Sequence, residues 1–116
     1  MKTANIIVTV ILALAALASA SGKLRKSPPV VETLTRVGVK ANQIPVFAVL
    51  EILGAAGILI GLGVQALGIA AAAGLVLYFL GAVVAHLKVK DPAAALAPAL
   101  GLSVVAIATL ILQIGR

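Results

Sequence analysis

Four long apolar stretches dominate this sequence and restrict what it can fold into. A hydrocarbon core of ~30 Å is crossed by about 20 mostly apolar residues in an α-helix. The stretches of suitable length are residues 4–22, 44–64, 67–87 and 93–114. The sequence therefore predicts an all-α integral membrane four-helix bundle, with residues 1–116 forming a single transmembrane domain.

The composition supports lipid as the solvent. Of the 116 residues, 63% are hydrophobic and 10% are charged, which is too apolar for a water-soluble domain of this length. The absence of cysteine excludes disulfides and thiolate metal sites. The net charge of +6 comes without aromatic platforms for bases, so it indicates contact with anionic lipid. We expect the lipid bilayer as a partner and no nucleic acid.

The connector between the first two spans carries a short helical pattern at about residues 29–37. Ser27-Pro28-Pro29 is typical of a helix start, and Gly38 of a helix end. One face of this segment is apolar and consists of Val30, Val31, Leu34 and Val37. The pattern predicts an amphipathic helix lying in the membrane interface.

The distribution of cations predicts the orientation. Seven Lys or Arg residues lie in residues 21–43 and 88–91, whereas the other side holds only Lys2 and Arg116. Basic loops are retained in the cytoplasm, so both termini should face outward.

The first span also has features of a signal peptide. Lys2, the apolar run of residues 6–17 and Ala18-Ser19-Ala20 match a cleavable leader, and cleavage would leave three spans. The full apolar stretch is long enough to cross the bilayer, which favours a retained span. The intact mass of the purified protein distinguishes a cleaved leader from a retained first span.

Small residues recur in the spans. The hydrophobic effect does not drive helices together inside lipid, so bundles depend on small residues that let helix backbones approach each other. The glycines predicted to pack helices together are Gly54, Gly57, Gly61, Gly74 and Gly81.

Glu51 is the acidic residue that falls inside a span. It lies about seven residues into the second helix, which corresponds to a depth of roughly 10 Å. His86 lies near the same side in the third span, and Lys23 at the end of the first span can extend to that depth. We predict that Glu51, His86 and Lys23 form an intramembrane polar site, in which Glu51 and His86 can meet.

Three interpretations of this site remain open. In the first, Glu51 is a structural lock that is protonated or bonded to His86 and holds helix register. In the second, Glu51 and His86 form a proton-handling pair beside a small-molecule or quinone pocket. The third interpretation is a contact with another subunit.

The sequence gives no sign of an independent active site. A lone histidine cannot build an ordinary multi-histidine metal site, and no phosphate-binding glycine motif or nucleophile elbow occurs. We therefore predict no catalytic residues, no metal and no resident cofactor, and we expect no enzymatic activity from this chain alone.

Several short motifs resemble the DoxX-like family of small bacterial membrane proteins. They are Gly22-Lys23-Leu24, Pro29-Val30-Val31-Glu32-Thr33-Leu34, Arg36-Val37-Gly38, Leu50-Glu51-Ile52-Leu53-Gly54 and Gly81-Ala82-Val83-Val84-Ala85-His86-Leu87. The resemblance implies a four-helix membrane bundle in a bacterial inner membrane, with Glu51, His86 and Lys23 at its recurring polar positions. It also implies an association with redox systems, because relatives include a subunit of thiosulfate:quinone oxidoreductase.

These observations lead to one leading hypothesis and two alternatives. The leading one is a non-catalytic subunit or small-molecule-binding partner of a larger membrane system. The first alternative is a quinone- or sulfur-linked redox subunit, with a quinone as candidate cofactor and a membrane redox protein as partner. The second is a homo-oligomer for permeation or lipid handling, which the apolar outer halves of the spans disfavour.

Overall fold

A chain inside a bilayer must satisfy its backbone hydrogen bonds internally, and this one does so with α-helices. The computed structural model describes residues 2–91 and 93–115, and this part of the chain contains no β-strand. A 3₁₀ turn at Ala41–Gln43 leads into the third helix. The five helices are α1 (Lys2–Leu24), α2 (Pro28–Arg36), α3 (Ile44–Ile60), α4 (Gln65–Lys88) and α5 (Ala93–Ile114).

Four of the helices can span a membrane by length and composition. These segments are Thr3–Leu24, Ala41–Ile60, Gln65–Lys88 and Leu96–Ile114. The molecule measures 39 × 25 × 18 Å, so its long axis exceeds a hydrocarbon core of ~30 Å. The predicted all-α four-span bundle is confirmed. Arg116, one of the two cations predicted for the less basic side, lies outside the described residues.

The second span ends four residues before its predicted boundary. The chain leaves α3 after Ile60, and Gly61, Gly63 and Val64 bond back to carbonyls of that last turn. Val64 is extended, and α4 begins at Gln65. The apolar character of the sequence continues through this turn, which is why hydropathy alone placed the boundary too late.

The four long helices form a closed ring in the order α1, α3, α4, α5. The interior is rich in alanine beside a few large buried side chains such as Leu12, Ile58 and Phe79, whereas many leucines and isoleucines lie on the outside. Leu14, Leu53, Leu77 and Ile111 are each more than 60% exposed. Small interior residues let the backbones approach, and large outer ones suit contact with acyl chains. The buried alanines are Ala13, Ala16, Ala20, Ala48, Ala55, Ala72, Ala99 and Ala106.

Three of the five predicted packing glycines lie where α3 meets α4. A Cβ at Gly61 would stand 2.2 Å from the Gly68 Cα, and one at Gly57 would stand 2.6 Å from the Ala71 Cβ. A Cβ at Gly54 would meet the Leu75 side chain at 2.5 Å. These glycines therefore bring α3 and α4 close together.

Gly74 and Gly81 do not have that role within the described chain, which corrects the prediction for these two. Both are exposed, and a Cβ at either would have no heavy atom within 4 Å. The buried stripe of α4 consists instead of Gly68, Ala72, Leu75, Phe79 and Val83. Every face of α4 is apolar, so the sequence alone does not identify the packed one.

The short amphipathic helix is present as α2. Its first two residues are prolines, which suit a first turn because their missing N–H groups have no helical partner there. Gly38 has a φ of +95° and follows the helix end, where the Val39 N–H bonds to the Leu34 carbonyl. Glycine adopts this left-handed conformation without a steric penalty. The position of α2 in the membrane interface remains a prediction.

Candidate functional site

The two basic connectors meet at one end of the bundle, which we call the basic end (residues 21–43 and 88–91). Arg36, in the last turn of α2, binds Asp91 after α4 through two hydrogen bonds. Its Nε lies 2.7 Å from Oδ1 and its Nη2 lies 3.3 Å from Oδ2. This bidentate contact ties α2 to the end of α4, 55 residues away in sequence.

Lys23 and Glu51 form an ion pair inside the bundle near the basic end. The last turn of α1 positions Lys23, and the neighbouring helix α3 carries Glu51 two turns from its start. The Lys23 Nζ donates to Glu51 Oε1 at 2.6 Å and to Ser19 Oγ at 2.8 Å. The two side chains are 8% and 0% exposed. The buried carboxylate of Glu51 thus has a cationic partner.

The second carboxylate oxygen of Glu51 does not take part in the ion pair with Lys23. Glu51 Oε2 is buried and has no hydrogen-bond partner among the described residues. Tyr78 of α4 lies near enough to interact with the Glu51 carboxylate, and the Lys23 Nζ is 6.0 Å from the centre of its ring. The ion pair therefore retains an acceptor oxygen beside a phenol.

Tyr78 is held by the other two aromatic residues of the chain. Its ring makes edge contacts with Phe47 of α3 at a centroid distance of 6.0 Å and with Phe79 of α4 at 5.1 Å. Such edge-to-face contacts stabilise a ring in one orientation. All three aromatic rings of the sequence are thus gathered beside the ion pair.

His86 binds Asp91 instead of Glu51. Its Nδ1 lies 2.5 Å from Asp91 Oδ2. Lys90 has a φ of +54°, and this left-handed residue turns the chain so that the Asp91 N–H bonds to the His86 carbonyl. The turn returns the Asp91 side chain to the histidine ring. The pairing of Glu51 with His86 suggested by the sequence is not formed, because each has a different partner.

The Asp91 carboxyl is held in its ionised form. Hydrogen bonds from Arg36, and secondly from His86, lower the pKa of Asp91 below its ordinary value, while the Asp91 contact raises the pKa of Arg36. An ionised carboxylate only accepts hydrogen bonds, so His86 Nδ1 is the donor in this contact. Asp91 therefore joins Arg36 and His86 in one charge-assisted cluster.

A cavity of about 430 Å³ connects these groups, and we call it the ion-pair cavity. All five helices contribute to its wall, and eight of its fourteen lining residues are apolar. The volume lies within the range of roughly 300–1,000 Å³ that is common for small-molecule sites. The polar residues of the wall are Ser19, Lys23, Thr33, Glu51, Tyr78 and His86.

The three predicted site residues thus border one space without forming one bonded cluster. Sequence reasoning missed Tyr78 and Asp91 as parts of the site. The spacing of Tyr78 and His86, two turns apart on α4, was a usable signal for Tyr78. Within the described residues, no group of three or more His, Asp or Glu side chains is placed to hold a metal ion.

The chain matches a known protein family over most of its length. The family model described as the DoxX-like family matches residues 7–109, which is most of the chain and includes all the site residues above. No curated protein and no solved structure matches the chain significantly.

Proposed function

The chain belongs to the DoxX-like family of multi-pass membrane proteins, and from this premise we propose that it is a non-catalytic, small-molecule-binding partner of a larger membrane system. The ion-pair cavity is the proposed binding site. The observation that carries the proposal is the buried Lys23–Glu51 pair in the wall of that cavity.

The energetic cost of the pair supports a role beyond packing. Insertion of one Asp, Lys or Arg at the centre of a membrane helix costs roughly 2.5–3.5 kcal/mol. Small residues such as Ala16 of α1 and Ala55 of α3 belong to the same buried core cluster and pack without that cost. A binding site gives the two charges a use that close packing alone does not require.

The free carboxylate oxygen separates this proposal from a purely structural lock. A buried polar group without a hydrogen bond is costly, so a lock is expected to satisfy both oxygens. Glu51 Oε2 accepts no hydrogen bond among the described residues, although the Tyr78 phenol lies near enough to interact with the carboxylate, and it belongs to a cavity-lining side chain. A bound molecule with a hydrogen-bond donor would supply the missing partner.

The test is co-extraction of a small molecule with the protein in native lipid, analysed by mass spectrometry after denaturation. The double variant Lys23→Met/Glu51→Leu removes both charges together and avoids leaving one unpaired. We expect a molecule that is enriched with the wild-type protein and lost from the folded double variant. Equal small-molecule content in the two proteins would refute the proposed site.

A redox role is the second candidate function, and one observation favours it. Tyr78, Glu51 and His86, which can all carry protons, line the same cavity. The ammonium of Lys23 and the phenol of Tyr78 suit the carbonyl oxygens of a quinone, the candidate cofactor. A redox subunit predicts that Glu51→Gln assembles normally but abolishes quinone-linked turnover of the membrane system. Loss of assembly in Glu51→Gln would favour the lock instead.

We further propose a bacterial inner membrane location with both termini outside. The seven cations of the basic end support this orientation. Because the chain has no cysteine, single cysteines at Gly63 and Lys90 report opposite ends without background. In spheroplasts, a membrane-impermeant thiol reagent should label Gly63→Cys, and it should label Lys90→Cys only after lysis. The reverse labelling pattern would show that both termini face the cytoplasm.

The proposed protein partner is a membrane redox protein or a second copy of the chain. Four helices that can span a membrane favour a partner inside the same bilayer. Native mass spectrometry of the protein released directly from membranes should detect a defined complex. A chain that is released only as a lipid-bound monomer would refute a stable partner.

A further inference from the structure

A second cavity lies beside the ion-pair cavity and is almost entirely apolar. It has a volume of about 350 Å³, and eight of its ten lining residues are apolar, so we call it the apolar cavity. Leu77, in its wall, is 72% exposed. The apolar cavity therefore reaches the outer surface of the bundle, where acyl chains lie.

The two cavities adjoin each other. Leu34, Tyr78, Ala82 and His86 line both of them. Tyr78 thus has the Glu51 carboxylate on one side and the apolar cavity on the other. A molecule that extends past Tyr78 would pass from a charged environment into an apolar one.

The charges of the ion-pair cavity restrict the polar part of such a molecule. Lys23 and Glu51 neutralise each other, so a charged head group would add an unpaired charge in a low-dielectric site. The wall offers an acceptor at Glu51 Oε2 and donors at Lys23 and Tyr78. A neutral head with both a hydroxyl and a carbonyl group complements these atoms.

We infer that the two cavities together bind a neutral single-chain amphiphile. Its hydroxyl and carbonyl groups lie at the Lys23–Glu51 pair, and its hydrocarbon chain extends past Tyr78 into the apolar cavity. The inference rests on the proposed function, because it names the class of ligand for that same site.

Tyr78 provides the signal for a direct test. The sequence contains one tyrosine and no tryptophan, so tyrosine fluorescence reports from the wall shared by the two cavities. The protein is reconstituted in phosphatidylcholine vesicles with a monoacylglycerol whose C18 chain is dibrominated, since bromine quenches nearby fluorescence. Two probes with the same dibrominated chain serve as comparisons: an N-acyltaurine, which is anionic, and an alkyltrimethylammonium, which is cationic.

We expect saturable quenching by the neutral probe, relieved by unbrominated monoacylglycerol, with an affinity at least tenfold above that of either charged probe. Gly81→Leu should weaken binding at least fivefold, because Gly81 lines the apolar cavity. Gly74→Leu is the matched control. Gly74 is also an exposed glycine of α4 with open space around it, but it does not line either cavity.

The outcomes separate the inference from the proposed function. Equal affinity for the three probes, or equal effects of Gly81→Leu and Gly74→Leu, would overturn the inference. If the neutral probe fails to bind although a small molecule is co-extracted with wild type and lost from Lys23→Met/Glu51→Leu, the inference fails and the proposed function survives. If no molecule is co-extracted and no probe binds, both fail. The probe comparison uses wild-type protein, so it holds even if Gly81→Leu does not fold.

Discussion

At the scale of single residues, the chain places two opposite charges in its interior and leaves one of their atoms for another partner. The Lys23 ammonium donates to Glu51 at 2.6 Å and donates a second hydrogen bond to Ser19 Oγ. Burial makes each charge dependent on the other, because neither can recover its hydration in place. The pair therefore behaves as a unit when it is mutated.

This dependence gives a first prediction. Lys23→Met or Glu51→Leu alone should lower the free energy of unfolding by about 3–5 kcal/mol, whereas the double variant should come within ~1 kcal/mol of wild type. The free energy of unfolding of each variant is measured in detergent micelles by far-ultraviolet circular dichroism. Lys88→Met, which removes an exposed cation, is the control and should change stability by less than ~0.5 kcal/mol. A double variant as unstable as the worse single variant would contradict the pairing.

At the scale of helices, α2 is attached to α4 through Asp91. Pro29, Val30, Thr33 and Leu34 of α2 form part of the ion-pair cavity wall. The bond from Arg36 to Asp91 therefore holds a cavity-lining helix at its far end. His86 contributes to the same attachment through the other carboxylate oxygen.

The attachment of α2 should depend on pH only in acid. Because the pKa of Asp91 is lowered in the folded protein, its stabilisation is fully present above the ordinary carboxyl value of about 3.9. It is lost as the pH falls through the lowered folded value. A nitroxide on Thr35→Cys in α2 should thus keep one electron paramagnetic resonance line shape from pH 5 to 7 and become more mobile in stronger acid.

Asp91→Asn should loosen α2 already at pH 7, because the neutral amide cannot replace the charge-assisted contacts. Glu32 is the carboxylate carried by α2 itself, so Glu32→Gln is the control and should retain the wild-type line shape at pH 7. An Asp91→Asn spectrum identical to wild type at pH 7 would show that Asp91 does not hold α2.

The crossing of α3 and α4 gives a further prediction at this scale. A Cβ at Gly61 would lie 2.2 Å from the Gly68 Cα and 2.6 Å from its backbone N, so Gly61→Ala must push the helices apart. We expect a loss of roughly 1–3 kcal/mol, measured by thermal unfolding. Gly74→Ala meets no neighbour and should gain about 0.5–1 kcal/mol from the better helix propensity of alanine. Similar losses in both variants would contradict the close crossing.

At the scale of the whole molecule, the distribution of side-chain sizes predicts contact with lipid. Leu53 is 63% exposed at mid-length of α3, whereas Gly63 is exposed in the turn after it. A nitroxide at Leu53→Cys should collide frequently with oxygen and rarely with a water-soluble nickel complex, and Gly63→Cys should show the reverse. Power-saturation measurements in vesicles provide both values. Nickel accessibility at Leu53 equal to that at Gly63 would contradict a membrane-embedded bundle.

Much of this architecture follows from the sequence because the spans are long and their apolar character is strong. The number of spans and the helix that became α2 were predictable from length, periodicity and terminal residues. The packed faces were not, since a helix that is apolar all round carries no stripe, and Gly74 and Gly81 were assigned to contacts for that reason.

The sequence was sufficient to predict which residues form the site, but not which of them bind each other. Lys23, Glu51 and His86 are rare polar residues at similar depths, so composition draws attention to them. Their actual partners depend on the ring order, which brings α1 beside α3, and on the left-handed conformation of Lys90, which returns Asp91 to His86. A non-glycine residue with positive φ gives no reliable signal in a single sequence.

The alanine interior reverses the usual rule for which substitutions a protein tolerates. In a water-soluble domain the large core residues are the sensitive ones, and the surface varies freely with polar types. Here the outer leucines and isoleucines should exchange freely among themselves, because fluid acyl chains adapt to any of them. The smallest positions, such as Ala16, Ala55, Ala72 and Ala106, are 0% exposed, so a larger side chain there is expected to displace its packed neighbours. Deep mutational scanning of this chain would therefore find its strictest positions among its least conspicuous residues.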